Sequence, residues 1–169
     1  MTESACWFAA RTRHGQELAL RRRLGDLRIE CFIPSKMTVR ERNGRKSKVE
    51  VPVISNLIFI RTTKKEACSL ANSGDFPLYY VIDHSTRTLL VVPDKQMEDF
   101  IRVVTQVPES ICPEMQDLPV GADVRITSGS LEGVDGKVIL LPNRTYVVVS
   151  IGRIAFAKVQ VPRANVCRI

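Results

Sequence analysis

Histidine is nearly absent from this chain. The two residues, His14 and His84, stand far apart with no ligand-like partner. The five cysteines, at 6, 31, 68, 112 and 167, are equally scattered. No two form a Cys-x-x-Cys pair, so neither a zinc nor a dithiol motif is present. They read as small reduced core residues. No Ser-His-Asp set and no paired metal ligands appear, so no catalytic residue, metal or cofactor is expected. No apolar run approaches the roughly 20 residues of a membrane span. The segment Met1 to Trp7 lacks the basic and apolar regions of a signal peptide. A cytoplasmic monomer without membrane association is expected.

Base is abundant and unevenly placed. Residues 1–50 hold 12 Lys and Arg against 6 Asp and Glu, more than half of the net +7. Residues 105–119 hold three acids and no base, and residues 119–169 hold 7 bases against 3 acids. A clustered cationic excess favours an anionic polymer, nucleic acid first. His14 sits in Arg11-Thr-Arg-His-Gly, where a phosphate contact is possible. His84 reads as a turn residue. Arg21-Arg22-Arg23 covers too wide a helical arc to meet one partner, and a solvated face is the plainer reading.

Trp7 to Arg13 reads as a strand ending at Gly15, followed by a helix over about Gln16 to Gly25. Leu20, Leu24 and Leu27 form its apolar stripe, and Glu17 can pair with Arg21 one turn on. Cys31 opens a second extended stretch. Asn43-Gly44 is a hairpin signal, with a return through Arg45-Lys-Ser-Lys-Val-Glu-Val-Pro. The result is a long two-stranded arm with a cationic tip. Leu57-Ile-Phe-Ile reads as a central strand. Leu57 and Phe59 share one of its faces; for that pair, core and partner surface stay equally open. Thr63-Lys-Lys-Glu66 matches a capping box. Leu78–Asp83 and Thr88–Val92 read as paired strands around a turn. Asp94 is the expected cap of a third helix with Met97, Phe100, Ile101 and Val104 buried.

The order predicts an α+β N-terminal domain, helices against an antiparallel sheet, over residues 1–106. Residues 107–118, with Pro108 and Pro113 and an acidic balance, read as a linker. Residues 119–169 read as a small all-β SH3-like barrel. There Val124 and Ile126 lead into Ser128-Gly129, an arm runs to Gly133, and Asp135-Gly136 reverses the chain. Gly129, Gly133 and Gly136 are expected to supply backbone angles closed to other residues. No helix follows them, so they are no phosphate loop.

In this order the residues resemble the NusG family of transcription elongation factors over nearly the whole chain. Cys6-Trp-Phe, the Asn43-Gly44 arm, Pro52 followed by Asn56-Leu-Ile-Phe-Ile, and Val92-Pro-Asp look like its N-terminal domain. Val124 to Val138 resembles its KOW motif, and Ser150-Ile-Gly-Arg also has a counterpart. Housekeeping members read like Phe-Pro-Gly-Tyr where this chain reads Ile54-Ser-Asn-Leu57. That departure is more like the specialised RfaH or UpxY types of paralogue.

The resemblance implies a non-enzymatic factor whose N-terminal domain docks on the clamp of RNA polymerase. It implies suppressed pausing or termination, and contact with DNA, including the non-template strand. Its KOW domain would recruit a ribosomal protein or a termination factor. By position, Phe8, Ile54, Leu57 and Phe59 fall in the polymerase-facing segment. Arg11, Arg13 and His14 fall near the DNA-facing edge. The arm tip, with Arg40, Arg42, Arg45, Lys46 and Lys48, falls where members approach upstream DNA or polymerase. The alternative reading is a ribosome- or RNA-associated KOW-domain binding protein.

Overall fold

The computed structural model describes residues 3–112 and 121–169. The chain divides into two compact units, 1–94 and 95–169. In the first, β1 (Cys6–Arg11) leads to α1 (Glu17–Asp26), β2 (Glu30–Phe32), the arm strands β3 (Ser35–Arg42) and β4 (Arg45–Pro52), and β5 (Leu57–Thr62). Then come α2 (Lys64–Asn72), four two-residue strands β6 (Tyr79–Tyr80), β7 (Ile82–Asp83), β8 (Thr88–Leu89) and β9 (Val91–Val92), and the start of α3 (Asp94–Gln106). The sheet runs β2-β5-β1, and the far edge of β1 takes β6 and β9, all antiparallel.

The four-residue apolar run on β5 is central, as its composition requires. Ile58 and Ile60, with Ala10, pack under Leu20, Leu24, Ile29, Ile33, Leu70 and Leu78. Phe8 lies opposite Ile60 in the register and so shares that face. Its ring meets Tyr80 edge-on at 6.1 Å.

Helix α1 does not stop at Gly25. It continues to Asp26 and closes in a Schellman turn, Ile29 N–H to Leu24 O and Arg28 N–H to Gly25 O. Arg28 takes the left-handed position at φ 59°. The chain therefore turns before Leu27 can reach the core, and Ile29 is buried in its place while Leu27 is exposed. Glu17 is not on the surface pairing Arg21. It is buried and accepts the Asn56 N–H at 2.9 Å.

The cap of α2 forms in part. Thr63 Oγ1 accepts the Glu66 N–H at 3.2 Å, while the Glu66 carboxylate accepts from the Thr62 hydroxyl. The expected strand pair over 78–92 is broken at Val81 and Leu90, which bond to each other (Leu90 N–H to Val81 O) while the Val81 N–H goes to Ala9. Asp94, expected as a cap, is the first residue of α3, with its carboxylate 3.8 Å from Arg61.

The second unit carries the rest of α3, a 3-10 turn at Pro108–Ser110, and the strands β10 (Ile111–Cys112), β11 (Asp123–Ile126), β12 (Asp135–Leu141), β13 (Arg144–Ile151), β14 (Ala155–Gln160) and β15 (Val166–Arg168). They form one antiparallel sheet, β10-β14-β13-β12-β11-β15. On α3, Val103 rather than Ile101 joins Met97, Phe100 and Val104 in the core.

The stretch expected as linker is structured in its first half. Ile111 and Cys112 pair with Ala157 and Phe156 on β14, because the apolar Ile111 outweighs the prolines nearby. The remainder of that linker, 113–118, lies outside the described residues. The expected reversal at Asp135-Gly136 is also corrected. The chain turns over 127–134, with Gly129 at φ 88° and Gly133 at φ 86°. Gly136 is a strand residue without positive φ, opposite Val124. Its need for glycine is space: a Cβ there would sit 2.6 Å from Val148 O and 2.7 Å from Val147 Cγ1.

The cysteines are all free, and none is fully buried; Cys68 and Cys167 are exposed. They are boundary residues rather than the core residues expected.

Candidate functional site

The arm stands on its own ladder. Eight residues of β3 pair with eight of β4 from Ser35 opposite Pro52 to Arg42 opposite Arg45. Asn43 at φ 52° and Gly44 at φ 73° close it, the two positive angles of a type I′ turn. Directly opposite residues share a face. One face therefore carries Lys36, Thr38, Arg40 and Arg42 with Arg45, Ser47, Val49 and Val51. The other carries Ser35, Met37, Val39 and Glu41 with Lys46, Lys48 and Glu50. Met37 and Val39 are 61% and 59% exposed.

At its root the arm is clasped to α1. Arg21 donates from Nη1 to Glu50 Oε1 at 2.7 Å and from Nη2 to Oε2 at 2.6 Å, and Ser35 Oγ donates to the same carboxylate. Those bonds, Arg21 first, pull the Glu50 carboxyl down to about 2. Arg23 donates to Asp75 O at 2.7 Å and lies 4.4 Å over the Phe76 ring. The arginine triplet is thus not simply a solvated face: two of its three members tie α1 to other segments. The sequence held no local sign of these partners, 29 and 52 residues away.

Arg11, Arg13 and His14 are exposed where β1 ends, and Arg11 reaches Ser55 O at 3.5 Å. This corner is tightly made. Thr12 N–H bonds Asn56 O at 2.9 Å, and Asn56 is left-handed at φ 65°. Asparagine tolerates that angle through its short polar side chain. Thr12 Oγ1 and Asn56 Oδ1 are buried here without a hydrogen-bond partner among the described residues.

Arg40, Arg42, Arg45, Lys46 and Lys48 are all exposed. None takes part in an ion pair among the described residues. The structure thus separates the expected cations into two groups, the corner and the arm, and divides the arm group between two faces.

Phe8, Ile54, Leu57 and Phe59, the residues expected to face polymerase, are buried. Leu57 and Phe59 are 0% exposed, Phe8 2% and Ile54 8%. They are core residues in this structure.

In the C-terminal unit, α3 is bound to the sheet by side chains. Asp99, buried, accepts from Lys95 Nζ and from the Asp135 N–H at 3.0 Å. Arg102 donates to Ser130 O at 2.7 Å and Glu132 O at 2.6 Å. Arg125 holds Asp135 at 2.6 Å, which keeps that carboxyl below its usual range. Leu140 and Leu141 stand exposed beside an open groove that also takes in Arg144, Gln160 and Arg163. Among the described residues no three His, Cys, Asp or Glu gather as a metal site. No described helix is long and apolar enough to cross a membrane.

The family model described as transcription termination factor nusG matches residues 5–101. This chain belongs to the NusG family. That makes it a relative of transcription elongation and termination factors, which are non-enzymatic. A solved structure of Thermotoga maritima NusG is similar over 98% of each chain, at 19% identity and a TM-score of 0.49. No curated protein matches the chain. The NusG match takes in the corner, the arm and the buried β5, and ends within α3.

Proposed function

We propose that this protein is a transcription elongation and antitermination factor. Its N-terminal unit binds the clamp region of RNA polymerase and suppresses pausing or termination. Its C-terminal sheet recruits a further protein, a ribosomal protein or a termination factor. The observation that carries this reading is the family match over residues 5–101. The cations Arg11, Arg13, His14, Arg40, Arg42, Arg45, Lys46 and Lys48, exposed on the same unit, support contact with DNA near the polymerase. Exposed Leu140 and Leu141 support partner recruitment by the C-terminal sheet. The Ile54-Ser-Asn-Leu57 sequence supports an operon-specific role of the RfaH or UpxY kind. We place the protein in the cytoplasm, where polymerase is.

Transcription in vitro over the leader of the neighbouring operon, with and without the protein, tests this. Shortened pauses or increased read-through on that leader, and not on an unrelated one, is the expected result. Equal effects on both templates would remove operon specificity. No effect on either would remove the antitermination role.

A further inference from the structure

We infer that the arm is a one-faced ribbon for the phosphates of duplex DNA. This rests on the nucleic-acid reading above and goes beyond it by naming the face and the form of the ligand.

The register divides the arm's charge cleanly. The face of Lys36, Arg40, Arg42 and Arg45 holds four cations and no acid. The opposite face is mixed, with Lys46 and Lys48 beside Glu41 and Glu50. Glu41 lies directly across from Lys46, and Glu50 is held by Arg21. A polyanion therefore meets four uncompensated cations on one face and only Lys48 on the other.

The root clasp fixes which way that face looks. Glu50 projects from the mixed face and is gripped from α1. At the root, the mixed face is thus turned to α1 and the cationic face away from it.

The composition selects the duplex. Proteins that hold single strands stack bases on aromatic side chains, and residues 35–52 contain no aromatic. The major groove of B-DNA admits a two-stranded ribbon. Alternate residues on a strand are about 6.6 Å apart, close to two base-pair rises of about 3.4 Å. Arg40 and Arg42 can therefore meet every second phosphate of one strand along a groove wall. The deep, narrow major groove of A-form RNA does not admit such a reader.

The test compares two variants of equal charge in the full chain: Arg40→Ala with Arg42→Ala, and Lys46→Ala with Lys48→Ala. Binding to a fluorescent 20-base-pair DNA, and to a single strand of that length, is followed by anisotropy across a salt series. Circular dichroism checks that each variant is folded. The wild type is expected to prefer the duplex. Loss of Arg40 and Arg42 should flatten the log–log salt slope by about 1.8, two phosphates at about 0.9 each. Loss of Lys46 and Lys48 should flatten it by about 0.9 at most, since Glu41 already offsets Lys46. Equal flattening by both pairs would overturn the one-faced ribbon, as would tighter binding of the single strand. Binding whose slope neither pair changes would also overturn it, while leaving the wider nucleic-acid reading in place. No DNA binding by the wild type would remove both.

Discussion

Arg21 and Glu50 form a two-bond clasp, 2.7 and 2.6 Å, between α1 and the root of the arm. The pair is about one-third exposed on each side, so its contribution to stability is on the scale of an exposed pair, roughly 0.2–1 kcal/mol. Glu50 has a folded-state carboxyl lowered to about 2 from an ordinary 4.5. A depressed acid stabilises above its unfolded value, and that stabilisation is lost as pH falls through the folded value. Glu50→Gln should therefore melt below the wild type at pH 7. The gap should close between about pH 4.5 and pH 2. A gap constant across that window would show that the clasp does not titrate as described.

Leu57→Asp should unfold the N-terminal unit. Its side chain has no exposed surface, and an unpaired carboxylate buried among apolar groups costs several kcal/mol. Circular dichroism and thermal melting measure it. A native-like melt would mean that the face of Leu57 and Phe59 opens readily, which would return those residues to the docking role.

The glycines of the C-terminal sheet should separate by cause. Gly136→Ala places a Cβ against the backbone of Val148. It should cost about 1–3 kcal/mol, as overpacking does. Gly129 has open space and a positive φ. Gly129→Asn should cost less than Gly129→Val, since asparagine accepts that angle. Chemical denaturation of the full chain, followed through the C-terminal transition, gives the order. Equal costs for Asn and Val at Gly129 would contradict it.

Tyr80→Phe should leave stability unchanged or raise it slightly. The hydroxyl is buried without a hydrogen-bond partner among the described residues, and burial holds the phenol up at about 12. Phenylalanine keeps the edge-on contact with Phe8. Removing an unsatisfied polar group relieves its desolvation cost. A loss above about 1 kcal/mol would show that the hydroxyl has a bonded partner.

What was legible in the sequence was local. Asn43-Gly44 announced the arm, the Leu57–Ile60 run announced a central strand, and Thr63 announced α2. Gly136 was legible as indispensable but for the wrong cause, because a positive φ is inferred from neighbours in sequence and a crowded Cβ only from strands that meet in space. The strand at Ile111 and Cys112 is hidden from the sequence for the same reason, since its partner on β14 lies more than forty residues on. The arm's cations were visible as a cluster. Their division into faces follows from the turn register and the period-two alternation, which sets Lys36 with Arg40 and Arg42.

The central claim is that this chain acts on transcription through RNA polymerase. Its most direct test is binding of the purified full chain to core RNA polymerase and, in parallel, to ribosomal subunits of the same cell. The account predicts a saturable complex with polymerase that forms without ribosomes. Binding to ribosomal subunits with none to polymerase would contradict it and leave the RNA-associated reading in its place.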